Sequence, residues 1–173
     1  VDTQDLNRFF TLNNISSTKS NNSIRHRAEQ IIKAVTEVNP EAIVDLHNTS
    51  GSSPAFGVSI YDSDQVLDLI SLFTNKVIIT DLHVGAIMEQ KFSAPIVTIE
   101  CGGACQRQSH QLAITGLEKF TNKKSIFDHH ADTVDIHRHP CRIELKKGIV
   151  LGFGDYPLLT ADITLRNDAE LLN

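Results

Sequence analysis

The chain has 173 residues, the length of one domain with room for a small appendage. Sixteen Lys+Arg against 21 Asp+Glu leave a net charge of −5, which argues against a nucleic-acid binder, because such proteins present a basic face. With 40% hydrophobic and 21% charged residues, and no apolar run near the ~20 residues of a membrane span, the composition is that of an ordinary globular chain.

Asp5-Leu6-Asn7-Arg8-Phe9-Phe10 stands near the start, after only four residues. An Arg fork suits a carboxylate and an Asn adds a neutral donor, although an Arg near a chain end is commonly just solvated. Asn13 to Ser23 is rich in Asn, Ser and Thr and reads as an exposed loop. Ser23 can cap a helix in which Ile24, Ala28, Ile31, Ile32, Val35 and Val38 recur at helical spacing, with Pro40 as the stop. Ala42 to His47 has the look of a buried strand, and Asn48 to Pro54 of the loop after it. Phe56 to Tyr61 predicts a strand, Asp64 to Thr74 a helix with Val66, Leu67, Ile70 and Phe73 inward, and Lys76 to Thr80 a strand. Pro95 to Glu100 predicts a further buried strand, broken by Gly102-Gly103, and Gln106 to Thr121 a helix with Ala113, Leu117 and Phe120 on one face. Alternating strands and helices predict an α/β core with a mixed, largely parallel sheet over residues 1–124. Thr133 to Lys146, Ile149 to Phe153 and Ala161 to Arg166 are alternating or β-branched runs. They predict a small all-β appendage over residues 125–173.

In open α/β sheets ligands bind beyond the carboxyl ends of strands. Two of the apolar runs end in ionisable residues that a buried strand does not need: Asp45-Leu46-His47 before Asn48-Thr49, and Ile99-Glu100 before Cys101-Gly102. A histidine is a common zinc ligand and a half-buried glutamate a good general base for water. Taken by position alone, both could equally end in solvent.

These three elements together, DLNR-F, DLHNT and IECG, resemble the succinylglutamate desuccinylase/aspartoacylase family, zinc hydrolases with a metallocarboxypeptidase-like fold. The likeness is good over about residues 1–122 and loose beyond. It implies zinc-dependent hydrolysis of the amide bond of a small N-acyl amino acid. It matches His47 to the zinc-ligating histidine, and Glu100 to the glutamate that activates water and protonates the leaving amine. Asn7 and Arg8 match the pair that grips the substrate α-carboxylate. Asp45 and Asp5 are candidates for orienting the ligating imidazole from behind. The family's H-x-x-E motif, which supplies the other two zinc ligands, and an upstream oxyanion-binding Arg have no counterpart in the residues before Asp5. The resemblance therefore implies a chain cut at its front, in keeping with a first residue Val1 and a single methionine, Met88, and also short at its back. The Tyr and Arg with which aspartoacylases bind the aspartate side chain are not found just before Pro95, so the likeness does not extend to N-acetylaspartate as substrate.

Other residues of the right chemistry read as structural. His26 and Glu29 share a helix face but lie on its polar side, and Asp81-Leu82-His83 repeats DLH without the Asn-Thr. His129, His130, His137 and His139 read as a surface cluster, with His137 and His139 on one strand face. Cys101 and Cys105 read as small buried apolar residues. With Cys141 the cysteines number three, an odd count that argues against a disulfide framework and for the cytoplasm. No P-loop, G-x-S-x-G or G-x-G-x-x-G occurs. Two other readings compete: a non-catalytic carboxylate-binding fragment or paralogue of the same fold, and a metallocarboxypeptidase acting on peptides. A small-molecule substrate is expected, without nucleic acid or membrane.

Overall fold

The computed structural model describes residues 5–10, 22–49, 51–127, 133–140, 164–165 and 171–172. The chain divides into two compact units, Val1–Cys141 and Arg142–Asn173. In the first, a five-stranded sheet has the order β1-β4-β2-β3-β5. Its strands are β1 (Ile43–Thr49), β2 (Phe56–Ser59), β3 (Lys76–Ile79), β4 (Ile96–Gly103) and β5 (Asp135–Arg138). β1 runs parallel to β4, and β2, β3 and β5 run parallel to one another. In this sheet, among the described residues, only the β2–β4 pairing is antiparallel. The sheet is therefore mixed and largely parallel, as the alternation of strand and helix predicts.

Side chains alternate across each strand and give the sheet two apolar faces. On one, Val44, Leu46, Val97, Ile99 and Val77 pack under helices α2 (Asp64–Ser71) and α3 (Arg107–Asn122). On the other, Ile43, Ile96 and Val58 meet Phe10, Met88 and the apolar stripe of helix α1 (Asn22–Val38), through Ala28, Ile31 and Ile32. β4 lies between two partners and is buried along nearly its whole length, with Val97 and Ile99 fully enclosed. Each such side chain contributes about 1.5–3 kcal/mol.

Several expectations are corrected. β4 is not broken by Gly102-Gly103 but runs to Gly103, because a glycine at φ +107 lets it continue through an irregularity in the ladder. β1 reaches Thr49 and is only half-buried, since among the described residues it pairs on one side alone. Ser23 lies within α1 rather than capping it. In α3 the inward stripe is Ser109, Ala113, Gly116 and Phe120; Leu117, about 100° further round the helix, is 40% exposed. β5, within the stretch assigned to the appendage, is the fifth strand of the main sheet, and the units divide after Cys141 instead of at 124/125. Its mostly polar residues, with Ile136 alone turned toward the core, serve as an outer strand paired to β3. In the second unit Thr164–Leu165 pairs antiparallel with Leu171–Leu172. Residues 13–21 of the loop expected at 13–23, the strand expected at 149–153, and His129, His130 and Cys141 lie outside the described residues.

Candidate active site on the sheet face under the N-terminal segment

β1 and β4 are aligned so that Asp45 stands beside Thr98 and His47 beside Glu100. In a parallel pair such neighbours project to the same face. Here it is the face that carries Ile43 and Ile96, the one covered by the N-terminal segment. Immediately beyond, the one residue between His47 and Thr49 on β1 faces two between Glu100 and Gly103 on β4. The extra residue is absorbed at Gly102, whose carbonyl accepts from Asn48 Nδ2 at 3.2 Å. A Cβ at Gly102 would fall 2.7 Å from Ser109 Oγ, so the irregularity in the β1–β4 ladder requires glycine there.

His47 Nε2–H donates to Asp45 Oδ2 at 2.8 Å, and Thr98 Oγ1–H donates to the same oxygen at 3.4 Å. A ring nitrogen that donates to a carboxylate cannot also accept. The 3.4 Å approach of Asn7 Nδ2 to Nε2 is therefore a contact between two donors. Asn7's amide is oriented from its other side, where Oδ1 accepts from the Ile87 backbone N–H at 3.0 Å. The neutral ring then keeps its lone pair on Nδ1, which has no partner among the described residues. Asp45, through this hydrogen bond and its charge, raises the His47 pKa above the ordinary 6.5, with smaller upward contributions from Glu100 and Asp5 against the effect of burial.

Glu100 Oε2 is buried without a hydrogen-bond partner among the described residues. Burial raises its carboxyl above the usual 4.5, against the pull of His47 and Arg8, while Asp45 pushes the same way as burial. Burial and the Glu100 charge also raise the Cys101 thiol, which suits an inert, enclosed cysteine and not a nucleophile.

The DLNR string forms a single 3-10 turn, Leu6–Arg8. Asp5 caps it, Oδ1 accepting from the Asn7 backbone N–H at 2.9 Å. Its other oxygen lies 3.6 Å from Arg8 Nη2, and Arg8 Nη1 donates to the Asn7 carbonyl at 2.9 Å. Of the two aspartates expected behind the imidazole, Asp45 is there and Asp5 instead orders the turn that carries Asn7 and Arg8. Asn7, Asp45, His47 and Glu100 thus share one patch, with the half-exposed Arg8 at its rim.

Residues outside the patch behave mostly as solvated or structural groups. His26 lies 3.9 Å from Glu29 on the exposed side of α1. His83 is exposed and 3.5 Å from Glu89. His137 and His139 are exposed but share no strand face, because β5 ends at Arg138 and His139 turns to φ +58. Cys101 is buried as expected, whereas Cys105 is exposed at the tight turn before α3. Thr98 escapes a sequence reading that looks only at strand ends, though its place two residues before Glu100 on a strand puts it on Glu100's face. The Ile87 amide has no sequence signal at all, since it meets Asn7 only across 80 residues.

The catalytic-domain model of the succinylglutamate desuccinylase/aspartoacylase family matches residues 1–150. The chain belongs to this family. No curated protein is significantly similar to it in sequence. The fold is shared with several solved structures. Succinylglutamate desuccinylase from Chromobacterium violaceum superposes with a TM-score of 0.59 at 16% identity, over 87% of this chain and 55% of that one. The desuccinylase from Vibrio parahaemolyticus gives 0.62 at 18%, over 88% and 51%. The ectoine utilization protein EutE (DoeB) of Ruegeria pomeroyi, in a product-bound structure, gives 0.53 at 16%, over 79% and 44%. The chain therefore spans about half the length of these proteins. The family's chemistry is that of hydrolytic deacylases. Among the described residues no three His, Cys, Asp or Glu side chains converge to hold a metal ion. His47 nevertheless fits as one ligand, with its ring fixed by Asp45 and Nδ1 unengaged. No helix among the described residues is long and apolar enough to cross a membrane.

Proposed function

We propose that the protein hydrolyses the amide bond of a small N-acyl amino acid in a zinc-dependent reaction of the desuccinylase type. The observation that carries this is the pairing of His47 Nδ1, left unengaged by the Asp45 hydrogen bond, with the buried, unpartnered Glu100 Oε2 on the neighbouring strand. His47 is read as one zinc ligand, the remaining ligands coming from outside the described residues. Zinc, when bound, polarises the acyl carbonyl and makes water acidic enough to attack near neutral pH. Glu100 takes the proton from the attacking water at Oε2 and returns it to the departing amine nitrogen as the C–N bond breaks, giving a carboxylate and an amine. Its raised pKa suits both halves of that transfer. Asn7 Nδ2 and the Arg8 guanidinium bind the α-carboxylate and place the amide over Glu100. Cytoplasmic residence, with neither a nucleic acid nor a membrane as partner, belongs to the same reading.

The test is zinc content and turnover of the full-length protein on N-acetyl and N-succinyl amino acids and peptides. Glu100→Gln should retain zinc and lose about 10²–10⁴-fold in kcat. A metal-free protein with no turnover on any of these substrates, or a Glu100→Gln variant with full activity, overturns the proposal.

A further inference from the structure

The segment that brings the chain back from β3 to β4 carries another buried carboxylate, outside the patch described above. The Glu89 side chain is 2% exposed. Its Oε1 accepts from three successive backbone N–H groups, those of Val84, Gly85 and Ala86, at 2.8, 2.9 and 2.9 Å. Hydrogen bonds from amides to a carboxylate are among the stronger ones a protein makes. Three on one oxygen fold residues 84–89 into a fixed hook. The hook faces the DLNR segment. Gly85 O accepts from the Phe10 N–H at 3.0 Å, and Ile87 N–H donates to Asn7 Oδ1 at 3.0 Å. Gln90 Nε2 donates to the Phe10 carbonyl. Gly85 sits at φ +89, where a Cβ would lie 2.5 Å from the Arg8 carbonyl oxygen, so only glycine allows this close approach.

We propose that Glu89 is a positioning residue that holds Asn7 and Arg8 over His47 and Glu100 by fixing the hook against which the DLNR turn is built. The inference rests on the reading of Asn7 and Arg8 as the carboxylate grip. Without Glu89 three amides lose their acceptor and the hook loosens. Ile87 N–H then no longer dictates which end of the Asn7 amide faces the site. Glu89 touches no reacting atom. Its loss is felt in the binding of the carboxylate, while proton transfer at Glu100 is left alone.

Two measurements on the full-length protein test this. The first compares an N-acyl amino acid with the matching N-acyl amine that lacks the α-carboxylate. Glu89→Ala should raise KM for the acid roughly tenfold or more with little change in kcat, and leave kcat/KM for the amine within about twofold. Glu89→Gln, which keeps one acceptor oxygen, should recover part of the loss. An equal fall for both substrates means a merely structural role and overturns the proposal. The second follows the Asn7 side-chain NH2 signal by NMR and needs no turnover. In wild type it should be shifted from the free-amide position, with the Ile87 backbone N–H that donates to Asn7 Oδ1 slow to exchange, and in Glu89→Ala both should move to solvent-like values while core methyl signals stay in place. An Asn7 signal unchanged by Glu89→Ala overturns the proposal even where hydrolysis is seen. If wild type hydrolyses neither substrate but the Asn7 signal responds as described, the reading of function fails and the positioning role stands. Should Glu89→Ala not fold, Glu89→Gln carries both measurements, with the smaller loss expected for the acid alone and partial loss of the Asn7 signal.

Discussion

Two titratable groups on neighbouring strands are shifted in the same direction, for different reasons. His47 is raised chiefly by its hydrogen bond to Asp45, and Glu100 chiefly by burial. A group whose pKa is higher folded than unfolded binds its proton more tightly when folded. Its contribution to stability is full below the unfolded value and is lost as pH rises through the folded one. For His47 that loss begins at 6.5 and for Glu100 at 4.5, each running up to its own raised value. In the metal-free protein the urea midpoint should therefore decline as pH rises above 6.5, and His47→Gln should flatten that decline. A wild-type slope unchanged in His47→Gln would remove the basis for the raised histidine. Both residues were legible from sequence, because an ionisable group ending an apolar strand is conspicuous. The partner of His47 was legible only in part. Asp45 and Asp5 were equal candidates, and the choice between them depended on which lay across from the ring.

At the scale of elements, helix faces follow from spacing only when every position on the stripe has volume. Gly116 has none, yet it is the centre of the buried face of α3. A Cβ there would lie 2.0 Å from the Phe73 ring. Phe73 is 8% exposed and closes the core beneath α2, so it has little room to move. Gly116→Ala gains about 1 kcal/mol of helix propensity, and overpacking costs about 1–3 kcal/mol. Thermal unfolding should show a net loss of stability. Leu117→Ala, at a position 40% exposed, should change stability by only about 0.5 kcal/mol. The reverse order of the two effects would mean that α3 presents the face expected from its large apolar residues. The glycines of β4 teach a similar lesson. Gly102-Gly103 read as a strand end from sequence, whereas the strand passes through them and uses Gly102 to shift register beside Glu100.

At the scale of the molecule, β4 is the axis of the first unit. It pairs with β1 on one side and β2 on the other, and its apolar side chains reach both faces of the sheet. β5 pairs with β3 alone among the described residues. Amide exchange should rank them accordingly, with Val97, Thr98 and Ile99 exchanging slowest, through global opening, and the amides of β5 exchanging first among the strands of this sheet. Equal protection of β4 and β5 would contradict this layering. The same arrangement places Glu100 on a strand paired on both sides and His47 on the strand beside it.

The sequence by itself determined which residues could carry chemistry and which family they belong to. Apolar runs ending in His47 and Glu100, the DLNR string and the strand–helix alternation are local patterns, written in composition and spacing. Tertiary structure decided what local pattern does not contain. It set the register that stands His47 beside Glu100, chose Asp45 over Asp5 behind the ring, and made β5 a strand of the main sheet. It also brought a hook built on Glu89 against Asn7, 80 residues away from the amide that orients it. Contacts between distant segments depend on how whole faces pack, and single residues such as Glu89 acquire a role only once that packing exists.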